Sequence, residues 1–258
     1  MAIGSDYKYS RKGLLGLYFA VFGTPDLHTH LRLSPFLRQV AAAVERYKIS
    51  RIFEPGCGRG INAFEINKSG LKTPYFGNDF NPYDIASAQM IANELKLDHV
   101  MFAHADATTA IPKDEAYDAV LLLDIIEHIP DDAAFVRTVV ENSAEDCVYF
   151  VSVPTKTYRK VFGNAYHEKV GHVRDGYSVE ELEVLFNAAG ARLVSHTYST
   201  GRVARIGCFA YYRLNTGSNF LNAILGFLVL PFRYMDVGNS KDASCSLFAV
   251  FCRGHSDN

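Results

Sequence analysis

The chain has almost no charge of one sign to spare. Its 26 basic residues stand against 28 acidic ones, a formal net charge of −2 with a pI near 6.5. Surfaces that hold nucleic acid show as a basic face or stripe, so this balance argues against a nucleic-acid partner, a local patch aside. Cysteine is sparse and odd in number: Cys57, Cys147, Cys208, Cys245 and Cys252, with no C-x-x-C pair. That excludes a disulfide framework and a cysteine zinc site, and fits reduced cysteines in the cytoplasm. The opening MAIGSDYKYSRKG has charge but no signal-type apolar core and cleavage site after it, so no secretion signal is expected. Long apolar runs are missing too: AILGFLVLPF (223–232) is about half of what spanning a bilayer requires. Internal repeats and low-complexity linkers are also lacking. At 258 residues and 48% hydrophobic, the chain can bury one full core.

What is present alternates. A segment over 1–48 comes first, expected to form a helical cap. Within it, Ser34-Pro35 resembles a helix start, and Phe36, Leu37, Val40, Ala41, Val44 and Tyr47 recur at helical spacing. From residue 49 short apolar runs alternate with helical stretches. RIFEP, TPYFGND, HVMFAHAD, AYDAVLLLD, CVYFVSVP, ARLVSHTYS and CSLFAVFCR are expected strands. INAFEINKSG, the stretch capped by Asn81-Pro82, DDAAFVRTVVEN and SVEELEVLFNAAG are expected helices, the last with a capping box (Ser178 with Glu181) and a stop at Gly190. An aromatic, apolar insertion occupies about 200–240. The pattern predicts a single α/β domain with a seven-stranded, mostly parallel, Rossmann-like sheet and helices on both faces. Right-handed crossovers put the strand C-termini on one edge, where ligands bind. FEPGCGRG (53–60), Asp79, Asp106 and Asp124 all fall there.

The loop itself discriminates between ligands. Gly56, Gly58 and Gly60 give G-x-G-x-G, whereas a dinucleotide fingerprint needs its third glycine at position 61, which is Ile61. A P-loop would need Gly-Lys-Ser/Thr, which is absent. Glu54 precedes the loop, and a carboxylate repels pyrophosphate but attracts a cationic group. The loop suits a nucleoside carrying positive charge.

Glu54-Pro-Gly-Cys-Gly-Arg-Gly60, Asp79 in YFGNDFNP and Asp106 in AHADAT together resemble the class I S-adenosylmethionine-dependent methyltransferases of the small-molecule type, over roughly residues 50–198 plus the last strand. The resemblance implies S-adenosylmethionine as cofactor. Glu54, Gly56, Cys57, Gly58 and Gly60 would border its methionine part and Asp79 its ribose hydroxyls. Asp106 would reach the adenine amino group, with Phe80, Ala107 and Asp124 completing the seat. A carboxylate can accept from both hydroxyls of a cis-diol. The alternative for both aspartates is an ordinary turn.

LLLDIIEHIPDD (121–132) resembles the D/E-x-x-E-H stretch that many small-molecule methyltransferases carry where cofactor meets acceptor. Three readings stand for Asp124, Glu127 and His128: His128 as general base, the trio as a loose divalent-ion cage, or side chains that only shape the loop. The base is the reading carried forward, with no metal. YHEKVGHVRDGYSVEEL (166–182) adds His167 and His172 as further candidate bases and Arg174 as an anion clamp, all expected in a loop over the cofactor edge; the alternative is that they anchor that loop.

The acceptor is expected to be a small molecule, hydrophobic or lipid-linked, methylated at oxygen, with a sugar or natural-product N- or O-acceptor as the alternative. Tyr18, Phe19, Phe22, His28, His30 and Arg32 in the cap, and the insertion with its flanking Arg202, Arg205, Arg213 and Arg233, are expected to cover the site. Such stripes are ordinarily core or a homodimer interface. An apolar helix with basic flanks also suits a peripheral membrane contact. A nicotinamide oxidoreductase, a nucleic-acid methyltransferase and a non-catalytic protein on the same fold are the rival classes.

Overall fold

The computed structural model describes residues 27–68, 70–109, 111–112, 117–214, 221, 224–225, 228 and 239–254. Tyr18, Phe19 and Phe22, the side chains of His28, His30, Arg32 and Arg213, and Arg233 with part of the insertion lie outside the described residues.

Seven strands form one sheet: β1 (Ile52–Pro55), β2 (Tyr75–Asp79), β3 (Val100–His104), β4 (Ala119–Leu123), β5 (Val148–Pro154), β6 (Ala191–Ser199) and β7 (Ser246–Arg253). Their order is β3-β2-β1-β4-β5-β7-β6. The β2–β3, β1–β2, β1–β4 and β4–β5 pairs are parallel, and β7 runs antiparallel between β5 and β6. The expected mostly parallel sheet is what the chain forms, with one reversed strand. Sequence order reverses between β1 and β4, which opens a crevice beyond their C-terminal ends.

The helices delimited among the described residues are α1 (Leu27–Arg46), α2 (Ile61–Lys68), α3 (Pro82–Glu94), α4 (Asp132–Glu141), α5 (Thr157–Phe162), α6 (Asn164–Lys169), α7 (Val179–Ala188) and α8 (Ala204–Leu214). Alternate strand residues feed two cores. Ile52, Ala119, Leu121, Val148 and Phe150 join α1, α2 and α3 on one face. Phe53, Val120, Leu122, Tyr149 and Val151 join α4 and α7 on the other. Burial on both faces explains why β4 reads as an unbroken apolar run rather than an alternation. Phe36 of α1 stacks on Phe248 of β7 with ring centroids 4.5 Å apart.

Two details differ from the sequence expectation. The first helix does not start at Ser34-Pro35 but runs through it from Leu27, so the proline sits where an amide would otherwise bond back one turn. His167 lies on the short helix α6 rather than in a loop; α5 and α6 have six residues each, too short to print a periodic apolar pattern.

Candidate functional site

The glycine loop leaves β1 with Gly56, Gly58 and Gly60 at φ +70°, +52° and +71°. Two of these positions also lack room. A Cβ on Gly56 would meet Ile125 Cδ1 at 2.6 Å, and one on Gly60 would meet the Phe102 ring at 2.3 Å. Gly58 is different: a Cβ there meets nothing within 4 Å, so its backbone borders open space. Cys57 faces inward against Gly77, and burial pushes its thiol far up, with the Glu54 charge adding to it. It packs and is not a nucleophile.

Asp79 ties the loop to the end of β2. Its Oδ2 accepts from Gly58 N at 2.9 Å and its Oδ1 from Asn81 N at 2.9 Å. Asn81 caps α3, accepting from Tyr83 N, and its side chain donates to Asp84, which also takes Arg59 Nε at 2.8 Å. Phe80, beside Asp79, is exposed. Glu54 lies beneath the loop, fully buried, accepting from Asn62 Nδ2 at 2.6 Å and from the Tyr75 hydroxyl. Burial raises its carboxyl to about 8, eased by the Asn62 bond and reinforced by Asp79.

Asp106 follows β3 in an exposed turn that it closes itself, accepting from Thr108 N at 2.8 Å and Thr108 Oγ1 at 2.7 Å. The Thr108 bonds hold its carboxyl below the usual range. Ala107 next to it is buried. Asp124 follows β4 with φ +55°, an uncommon conformation for a side-chain-bearing residue, which aspartate adopts more readily than most. Ser152 Oγ donates to its Oδ1 at 2.8 Å. Ser152 was missed from sequence; the signal was a lone polar residue in the apolar run VYFVSVP. The strand order places the glycine loop, Asp79 and Asp106 on three adjacent strand ends and Asp124 across the crevice. This is an acidic rim round an open, glycine-walled backbone. The donor set fits a cationic nucleoside such as S-adenosylmethionine and suits a pyrophosphate badly.

The residues expected to face the acceptor start close to that loop, because Ile125 packs on Gly56. Ile126–His128 form one 3-10 turn that buries Glu127 and leaves His128 half-buried. The segment 170–177 folds over this turn. Val173 N donates to Glu127 O at 3.0 Å, and His128 Nδ1 lies 3.1 Å from Gly171 O. His172 arrives with its Nε2 3.9 Å from Glu127 Oε1 and its ring edge-on to His128 at 4.9 Å. Glu127, His128 and His172 each offer a ligand-type atom within 4.8 Å of the others.

His167 is buried on α6, with Nε2 2.9 Å from Arg174 O, and packs edge-on against His172 at 5.3 Å. Arg174 is committed internally: its guanidinium donates to Asp132 at 2.5 Å, Ile129 O at 2.6 Å and Pro130 O at 3.1 Å. Tyr177 shares Asp132 at 2.8 Å. Arg174 therefore anchors the segment, the second of the two readings open to it from sequence.

A family profile described as a methyltransferase domain matches residues 27–196, more than half of the chain. A ubiquinone biosynthesis O-methyltransferase of Yersinia pestis (strain Pestoides F) is 26% identical over 107 residues, 42% of this chain and 42% of that protein, so the match spans less than half of that relative. Among solved structures, a candidate sarcosine dimethylglycine methyltransferase from Galdieria sulphuraria superposes with TM-score 0.65 at 14% identity, covering 97% of this chain and 99% of that one. Coclaurine N-methyltransferase bound to N-methylheliamine and S-adenosylhomocysteine superposes with TM-score 0.58 at 16% identity, covering 84% and 72%. At these identities the structures establish a shared fold.

Proposed function

Because the chain belongs to the methyltransferase-domain family, we propose that it methylates an oxygen atom of a small-molecule acceptor with S-adenosylmethionine as donor. Bound in the crevice, that cofactor supplies an electrophilic methyl group on a sulfonium. The chain's own residues bind, align and move a proton. The glycine loop lets the backbone approach the methionine part, Asp79 and Asp106 face the ribose and the adenine amine, and the acidic rim favours the positive charge.

The observation that carries oxygen over nitrogen is the Glu127–His128–His172 cluster, which follows the Ile125 side chain that packs on Gly56. An alcohol or phenol must shed its proton as its oxygen is methylated, while a neutral amine needs only alignment. A carbonyl only accepts, so His128 Nδ1 carries the proton it gives to Gly171 O and Nε2 keeps the lone pair. His128 Nε2 takes the acceptor proton as the O–C bond forms and the S–C bond breaks. The products are a methyl ether, S-adenosylhomocysteine and an imidazolium that returns its proton to water. The quinone-pathway relative is in keeping with oxygen methylation. Exposed Ile206, Phe209 and Leu214 on α8 favour a hydrophobic or lipid-linked acceptor.

The cofactor half is tested by thermal shift. S-adenosylhomocysteine is expected to raise Tm and NAD to leave it unchanged. Asp79→Ala, which frees the Gly58 and Asn81 amides, is expected to weaken S-adenosylhomocysteine about tenfold to a hundredfold. The acceptor half is tested with methyl-labelled donor on matched phenol, alcohol and amine panels. Label found only on amines would sink oxygen methylation.

A further inference from the structure

We propose that Glu127, His128 and His172 bind one divalent transition-metal ion of the zinc type, with a coordination position left for the acceptor oxygen. The role given to the ion rests on the oxygen-methylation reading above; the binding itself does not.

Geometry comes first. One ligand atom from each residue lies within 4.8 Å of the others. Two ligands about 2.1 Å from a tetrahedral ion stand about 3.4 Å apart, and His172 Nε2 is already 3.9 Å from Glu127 Oε1. Side-chain torsions of modest size close the remainder.

The three groups are also aimed by the backbone around them. His128 Nδ1 is taken up by Gly171 O, which leaves Nε2 as the ligating nitrogen. An imidazole whose other N–H rests on a backbone carbonyl is the usual arrangement at metal sites. That carbonyl belongs to the residue before His172, so one hydrogen bond orients the first imidazole and positions the second. Val173 N on Glu127 O straps the other side. The two segments that supply the ligands are thereby fixed to each other on both sides of the cluster.

Chemistry selects the ion. The Glu127 side chain is 1% exposed and that of His172 7%. A cation shared with two imidazoles offsets the cost of holding a carboxylate this deep. Two nitrogens and one oxygen suit zinc or cobalt; magnesium and calcium want oxygen ligands throughout. Asp124 is outside the set, turned aside at φ +55° and bonded to Ser152. Three protein ligands leave at least one position open. An acceptor hydroxyl bound there would ionise near neutral pH. His128 is then a ligand, and the hydroxyl proton leaves to water instead.

The test uses full-length protein without a histidine tag, stripped with a chelator and titrated with Co²⁺ alone. One ion per chain is expected, with visible absorption of a four- or five-coordinate nitrogen- and oxygen-ligated site. His128→Ala and Glu127→Gln should each weaken Co²⁺ binding by about a hundredfold or more, while S-adenosylhomocysteine still raises Tm, which shows that both variants are folded. Absence of stoichiometric Co²⁺ binding, or binding that both variants leave unchanged, overturns the site. The two readings fail separately: methyl ether formed by protein that takes up no ion removes the metal and keeps oxygen methylation. Stoichiometric Co²⁺ with label only on amines does the reverse.

Discussion

Glu54 is the residue whose environment differs most from what its position in the chain suggests. Ahead of a glycine loop it is easily pictured as a charge facing the ligand, yet it lies under the loop on Asn62 and Tyr75. Burial lifts its carboxyl from 4.5 to about 8, so the folded state holds a proton that the unfolded chain has released over that range. The sign follows: the contribution is fully present below about pH 4.5 and is lost as pH rises through about 8. Glu54→Gln keeps the volume and an acceptor without the titration. Urea unfolding at pH 5 and pH 8 is expected to show wild type losing on the order of a few kcal/mol more than the variant. Parallel losses would mean Glu54 is ionised in the folded protein throughout. Sequence revealed the residue and its acidity, but not its depth, because depth depends on Tyr75 arriving from a neighbouring strand.

At the scale of elements, the segment 170–177 matters more than its irregular structure suggests. Arg174 clamps it to Ile129, Pro130 and Asp132, and the backbone contacts at Gly171 and Val173 hold it to the 3-10 turn. Arg174→Met retains the aliphatic stem and removes these charge-assisted bonds. Its expected cost is about 2–3 kcal/mol of stability, read as a lower urea midpoint, with turnover falling while S-adenosylhomocysteine affinity holds. A parallel fall in cofactor affinity would place the segment in the cofactor seat instead. The strands were legible because each is a short apolar run stopped by a turn residue, and the aspartates marked where they stop. The capping box at Ser178 was legible because it is local, and both of its hydrogen bonds are present. The stretch from β5 to α7 was not: Gly163, Gly171 and Gly176 break it into pieces shorter than two helical turns or without helix. The approach of His172 to Glu127 is a contact between residues 45 positions apart in number (172 less 127) and left no local trace.

For the molecule as a whole, the question is what lies beside the crevice. Strand order gathers the residues proposed to hold the cofactor on one edge of the sheet, and α8 follows β6, at the end of the sheet where β7 reverses. Ile206, Phe209 and Leu214 of α8 are 57%, 45% and 60% exposed, and Leu221, Ile224 and Leu228 beyond it are exposed as well. Arg202 at the start of this region is exposed. No helix among the described residues is long and apolar enough to cross a bilayer. Apolar side chains with a basic flank instead suit lying in a lipid interface, where anionic headgroups add to apolar burial. Sedimentation with anionic phosphatidylglycerol vesicles is therefore expected, weaker with neutral phosphatidylcholine and weaker at high salt. Each apolar side chain buried contributes about 1.5–3 kcal/mol, so Ile206→Ser with Phe209→Ser should lower partitioning at least tenfold, leaving S-adenosylhomocysteine affinity unchanged. Wild-type protein that stays in the supernatant and scatters light as a dimer would assign the exposed residues to a second copy of the chain. A lipid-linked acceptor would then have to reach the crevice without the surface bringing it there.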